Sequence, residues 1–283
     1  MIDEIPFDDF GGAGPPLHFA HANAYPPGCY GQFLAPFLPH YRVKAVRHRP
    51  LWPGSDPAEL QGDWQIVADD LSRFLAQQGW QGVIGVGHSL GAVATLYAAA
   101  QRPFLFRAII LLDPVFLLPD VLRAAAAYPE RAQEFPMVVG ALRRRQHWPD
   151  RQTAFDRFRE KAVFSRWSDE ALWDYVNYGL RQEGDEVTLV YSRLWEARFY
   201  ANPPQAVWET LPQVQTPTLA IRAAESDTLY PAAWQLWQEK QPGAAFVEVP
   251  DVGHMLTMER PLTVAQIILD WLEGIGDWRL EIG

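Results

Sequence analysis

The sequence predicts a mostly parallel, doubly wound α/β sheet interrupted by a helical insertion. Three observations point there. Apolar strand-like runs alternate with helical patterns along most of the chain. Two of the runs, "GVIGVG" (82–87) and "AIILLDP" (108–114), are apolar throughout, as expected of strands covered on both faces. The alternation then stops between about Pro119 and Leu211.

"LHFAH" (17–21) and "RVKAVRH" (42–48) predict the first two strands, and "YGQFLAPFLPH" between them a short helix or turn. From Asp63 the spacing changes. Trp64, Val67, Leu71, Phe74 and Leu75 fall on one helix face, and Gly79 ends that helix. "GVIGVG" leads into the helical "AVATLYAAAQR" (92–102), which Pro103 stops. After the insertion, "TPTLAIRAA" (216–224) and "AFVEVP" (245–250) predict two more strands. A last helix begins near Pro261, with Val264, Ile267, Ile268, Trp271 and Leu272 on one face. The insertion shows helical patterns, several prolines, no convincing buried strand and five of the twelve tryptophans: Trp148, Trp167, Trp173, Trp195 and Trp208. The expected organisation is a core formed by 1–118 and 212–283, with 119–211 as the insertion.

Composition narrows the function. A net charge of −10 argues against non-specific nucleic-acid binding, which needs clustered cations to displace counterions. The basic, aromatic stretch "LRRRQHWPDRQTAFDRFREK" (142–161) reads as a solvated helix face. Cys29 is the single cysteine, so no internal disulfide forms; it reads as a small buried apolar residue. "MIDEIPFDDFGG" is not a signal peptide, and no apolar run approaches the ~20 residues of a membrane span. A soluble, cytoplasmic protein is expected. No HExxH or paired CxxC spacing occurs, so neither a metal nor a cofactor is expected. The sequence carries no signal about oligomeric state.

The chemistry-bearing motif is "GHSLG" (87–91), one serine between two glycines where a strand becomes a helix. A nucleophilic serine must stand clear of the sheet edge on a tight, strained turn, and side chains two residues away on either side would obstruct it. The helix start behind it points amide N–H groups toward a developing anion. Such a hydroxyl needs a base, and the base an orienting carboxylate. His254 in "DVGHMLTMERP" follows the strand "FVEVP" and suits the base. Asp227 in "IRAAESDTLYP" is the preferred acid, with Asp113 at the end of "AIILLDP" as the alternative and Glu225 and Asp251 nearby in sequence.

These motifs, in the order Ser89, Asp227, His254, resemble the α/β-hydrolase superfamily, in particular its capped, lipase- and esterase-like branch, over roughly residues 15 to 273. The resemblance implies the α/β-hydrolase fold, with the insertion as a helical cap, and an oxyanion hole made by two backbone N–H groups. One is that of Leu90. The other matches Asn23 in "HFAHANAYPPG", where the family commonly has His-Gly and this chain has His21-Ala22. His21 is expected to hold that loop by hydrogen bonds. His88 and the cap tryptophans Trp148, Trp167, Trp173 and Trp195 are the candidates for contact with a small-molecule substrate.

The expected activity is serine hydrolysis of a carboxylic ester or related acyl compound through an acyl-enzyme. Cleavage of a C–C bond, a thioester or a lactone, perhydrolysis and acyl transfer use the same machinery and stay open. So does a non-catalytic ligand-binding protein on this fold. Serine at position 89 disfavours dehalogenase and epoxide hydrolase chemistry, which use an aspartate nucleophile.

Overall fold

Strands β1 (Phe7–Gly11), β2 (Pro16–Ala20), β3 (Arg42–Val46), β4 (Val83–His88) and β5 (Phe106–Leu112) precede the insertion. Helix α1 (Gln65–Gln77) lies between β3 and β4, and α2 (Leu90–Gln101) between β4 and β5. The insertion carries α3 (Pro119–Ala127), α4 (Pro136–Leu142), α5 (Arg151–Arg159), α6 (Asp169–Gly179) and α7 (Arg193–Ala201). It also holds short strands β6 (His147–Trp148), β7 (Leu180–Glu183) and β8 (Glu186–Leu189). The chain closes with β9 (Thr218–Ala223), α8 (Pro231–Lys240), β10 (Ala245–Val249) and α9 (Pro261–Gly274). This computed structural model describes residues 2–275; Met1 and residues 276–283, part of the expected core segments, lie outside the described residues.

The main sheet runs β1-β3-β2-β4-β5-β9-β10, parallel except for the antiparallel edge strand β1. Period-two geometry sorts its side chains. On β5, Ala108, Ile110 and Leu112 join one buried cluster and Ile109 and Leu111 another, so both faces are covered. The insertion differs from the all-helical expectation. Its β6-β8-β7 antiparallel sheet pairs strands of two to four residues, too short for a period to register in the sequence.

The junction of β4 and α2 is the tightest turn of the fold. β4 is buried along its whole length, and α2 is buried at every position from Leu90 to Ala99. Ser89 between them has φ +57 and ψ −114, a conformation that costs a non-glycine residue of order 1–3 kcal/mol. The flanking glycines allow it. A Cβ on Gly91 would sit 2.1 Å from the Ala20 carbonyl oxygen of β2, and one on Gly87 would sit 2.4 Å from the Gly91 oxygen. Both obstacles are backbone and cannot yield.

Four buried histidines sit in this core: His18, His21, His48 and His88. Burial is the main cause that lowers their basicity, to about 3 in His18 and His88, about 4 in His48 and well below 6.5 in His21. His18 packs 5.4 Å from Phe74, and neither of its ring nitrogens has a hydrogen-bond partner among the described residues.

Two outcomes follow. Gly91→Ala should destabilise the fold by about 3 kcal/mol or more. Gly140→Ala, on exposed helix α4 with nothing within 4 Å of the new Cβ, should be neutral or stabilise by ~0.5–1 kcal/mol. Thermal unfolding of the two variants compares them, and equal effects would contradict the packing argument. The second concerns acid. The folded protein keeps these histidines neutral at pH values where the unfolded chain, at 6.5, takes up protons, so stability is full above about pH 6.5. It then falls with pH toward 3–4, by ~1.4 kcal/mol per pH unit for each histidine. His18→Leu removes one such group without breaking a hydrogen bond, so Tm should depend less steeply on pH between 4 and 6 than in the parent; an unchanged slope would refute it.

Candidate functional site

Three side chains from distant parts of the chain form a hydrogen-bonded line at the C-terminal edge of the sheet. Ser89 Oγ lies 3.0 Å from His254 Nε2, and His254 Nδ1 lies 2.7 Å from Asp113 Oδ2. A carboxylate facing Nδ1 puts the imidazole proton there and leaves Nε2 free to accept from the serine. Ser89 is placed by the turn after β4, His254 by the loop between β10 and α9, and Asp113 by the end of β5.

The carboxylate at the histidine is therefore Asp113, and the expectation of Asp227 is corrected. β5 and β9 are parallel neighbours, with Leu112 beside Ile221, so both strand ends deliver an aspartate to the same region. Backbone geometry decides between them. Asp113 has φ +40, and its N–H still donates to the Ile221 carbonyl at 2.7 Å, so the strand bonds to its neighbour while the side chain turns toward His254. Its carboxylate is fully buried and collects three donors: Ala223 N–H at 2.9 Å on Oδ1, and the Ser226 hydroxyl and His254 Nδ1–H on Oδ2. The Ser226 oxygen accepts from the N–H groups of Thr228 and Leu229, which leaves its proton for Asp113. Asp227, one residue on, is exposed, and its carboxylate accepts from Thr228 Oγ1 at 3.3 Å.

A second hydrogen-bonded line ties the surrounding loops together. Ala22 N–H donates to Tyr30 Oη (3.0 Å), Tyr30 O–H donates to His88 Nδ1 (3.0 Å), and His88 Nε2–H donates to the His254 carbonyl (2.9 Å). Burial, and then the neighbouring His254 ring, hold His88 at about 3, so it is neutral and each nitrogen has one role. His21 Nδ1–H donates to the Ala22 carbonyl, while its Nε2 accepts from His48 N–H, as expected of a loop-holding residue. With the Ala22 amide occupied by Tyr30, the next amide in the loop is that of Asn23. The Asn23 side chain is clamped by the inserted segment: Tyr191 O–H donates to its Oδ1 at 2.9 Å, and its Nδ2 donates to the Glu196 carbonyl at 3.3 Å. Leu90 opens α2, where a helix has no carbonyl four residues back to receive its N–H.

Above Ser89 lies a cavity of about 260 Å³. Trp64, Tyr25, Phe199, Tyr200, Met137 and Leu117 supply most of its apolar wall, and Asn23, Asp227 and Thr228 its polar rim. The tryptophans expected there do not line it. Trp148, Trp167 and Trp195 are almost fully buried in packing, and Trp173 stacks on Phe155 with centroids 4.6 Å apart. His88 lies beneath the site, in the line just described. Large indoles in the insertion are spent on its core, and the phenol and phenyl rings of Tyr25, Tyr200 and Phe199 face the cavity instead. Trp64 was legible only as a helix-face residue; it caps α1 and donates its indole N–H to the Asn202 carbonyl. Arg144, expected on a solvated face, is largely buried and pairs with Glu196 at 2.7 Å.

Among the described residues no group of three or more His, Cys, Asp and Glu is arranged to hold a metal, and no helix is long and apolar enough to cross a membrane. The family model for the alpha/beta hydrolase family matches residues 19–267. The chain is 30% identical over 235 residues to the abhydrolase domain-containing protein AKT2 of Alternaria alternata, covering 68% of this chain and 84% of that one. It is 28% identical over 279 residues to the lipase LipV of Mycobacterium tuberculosis, covering 95% and 97%. Among solved structures it resembles E-2-(acetamidomethylene)succinate hydrolase with a TM-score of 0.77 at 18% identity, over 95% of each chain. With this fold, the strained turn at Ser89 and these relatives, the chain belongs to the alpha/beta hydrolase family.

Proposed function

We propose that the protein is a serine hydrolase that cleaves a small carboxylic ester, with Ser89 as nucleophile, His254 as base and Asp113 as the orienting acid. The observation that carries this reading is the continuous hydrogen-bonded line Ser89–His254–Asp113 opening onto the 260 Å³ cavity. The lipase relative, similar over nearly its whole length, is consistent with an ester substrate. The solved succinate-derivative hydrolase supports the fold alone, since only 18% of residues are identical.

In this reading Ser89 Oγ attacks the carbonyl carbon while His254 Nε2 takes its proton. The negative charge moves onto the carbonyl oxygen, which the backbone N–H groups of Asn23 and Leu90 receive. The tetrahedral anion collapses, the C–O bond to the alcohol breaks, and His254 returns the proton to the departing oxygen. Water then repeats the sequence: His254 removes its proton, the hydroxyl oxygen adds to the acyl carbon, and Ser89 leaves with the proton restored. Asp113 keeps the imidazole in one tautomer and stabilises its charged form. The inserted segment, 119–211, acts as the cap: Met137, Val163, Phe199 and Tyr200 enclose the acyl group and exclude water.

Hydrolysis of 4-nitrophenyl acetate and butyrate tests the reading, with Ser89→Ala expected to be inactive. Asp113→Asn should lower kcat about a thousandfold or more, because an amide no longer fixes the tautomer, while Asp227→Asn should cost less than about tenfold on these uncharged esters. The reverse ranking would return the acid's role to Asp227. Tyr30→Phe leaves the Ala22 N–H and His88 Nδ1 buried without partners, at about 1–3 kcal/mol each. It should lower kcat with KM nearly unchanged; an equal rise in KM alone would mean the line does not position the reacting groups.

A further inference from the structure

Asp227 is left facing the cavity once Asp113 occupies the histidine. It is the only fixed charge among the cavity's lining residues: the rest are apolar, hydroxyl or amide groups together with His254. No lysine or arginine lines the cavity among the described residues. Two cations of the insertion are held by carboxylates and a third lies over a ring. Arg144 pairs with Glu196 and donates to Tyr175, Arg166 is held by Glu225 and Glu259, and Lys161 Nζ lies 5.6 Å above the Phe158 ring. Asp227 itself has no salt-bridge partner among the described residues.

Resting on the ester-hydrolase reading of the site, we propose that Asp227 selects the substrate by charge: the enzyme takes acyl compounds whose enclosed part is neutral or cationic and rejects those carrying a carboxylate there. A substrate carboxylate would give up hydration to an apolar wall and find a like charge with no cation to receive it. It would also add to the negative charge that develops on the carbonyl oxygen and to the Asp113 carboxylate beneath His254. An ammonium group in the same place meets an unpaired carboxylate. Selection of this kind acts mainly against the wrong substrate, and Asp227 supplies the repulsive element.

4-Nitrophenyl esters of hexanoic, 6-aminohexanoic and adipic acid test it, since they share a tetramethylene spacer next to the carbonyl and end in a methyl, an aminomethyl and a carboxylate group. In the parent protein at low salt, kcat/KM for the ammonium ester should exceed that for the carboxylate ester by about tenfold or more. Asp227→Asn should bring the ratio to within about threefold, and about 0.5 M NaCl should reduce it in the parent, because the rim is open to solvent. A parent ratio near one, or a ratio that survives in Asp227→Asn, overturns the proposal. If no ester is cleaved, the ester-hydrolase reading falls separately. Calorimetric titration with hexylamine and hexanoate then reads the charge selectivity: hexylamine binding that Asp227→Asn weakens upholds it, and equal binding of the two ligands overturns it.

Discussion

Everything at the site depends on how closely α2 approaches β2. The contact at Gly91, where even a methyl group would run into the Ala20 carbonyl, lets the helix start directly behind the end of β4. That leaves Ser89 one residue in which to reverse direction, and the result is its positive φ. The strain is held from all sides. Ser89 N–H donates to the Leu112 carbonyl of β5 at 2.9 Å, and the Ser89 carbonyl receives the N–H groups of Ala92 and Val93. Ser89 therefore cannot relax without breaking the ladder or lifting a buried helix. A strained residue persists where its surroundings over-determine it, and here the surroundings are the centre of the sheet.

The same sheet explains how the partners reach the serine. β5 and β9 end side by side, and the end of β9 and the loop after it supply hydrogen-bond donors rather than the acceptor. Ala223 N–H and the Ser226 hydroxyl converge on Asp113, so a fully buried carboxylate has three donors and, among the described residues, no lysine or arginine partner. Charge-assisted bonds of this kind compensate for the lost hydration of the ion. The two strand ends thus divide the work, one holding the acid and the other holding it still.

This division is what the chain alone does not reveal. The sheet was legible because buried parallel strands are apolar runs; the turn was legible because only glycine fits beside Ser89; His254 was legible because it follows a late strand. Asp113 and Asp227 each follow a strand by a residue or a few, and local pattern treats them alike. What separates them is the positive φ of Asp113 and the donors that arrive from a neighbouring strand, both properties of pairing in space. The cavity wall was illegible for another reason. Tryptophan is the largest apolar surface a chain can bury, so Trp148 and Trp195 disappear into the packing between the insertion and the sheet, and the smaller rings of Phe199 and Tyr200 face the cavity. β1, on the sheet edge and only half buried, and the two- to four-residue strands of the insertion fall below any periodicity a sequence can display.

Polar groups around the cavity sort by depth, and the sorting has a mechanistic sense. Beneath Ser89 the groups are buried and paired: Tyr30 and His88 are neutral, each with defined donor and acceptor roles, and the one buried ion, Asp113, is saturated with donors. Such a layer has nothing left to offer a ligand and much to lose if disturbed, which suits the catalytic reading of Ser89 and His254 proposed above. At the rim, the side chains of Asp227 and Thr228 bond to each other and line the cavity, while the Thr228 N–H goes down to Ser226. Asp227 lies one residue from Ser226, which stays tied to Asp113. Two neighbouring positions on one loop thus face apart, Ser226 inward to Asp113 and Asp227 outward to the cavity, and in the proposed reading this separates substrate choice from the reacting line.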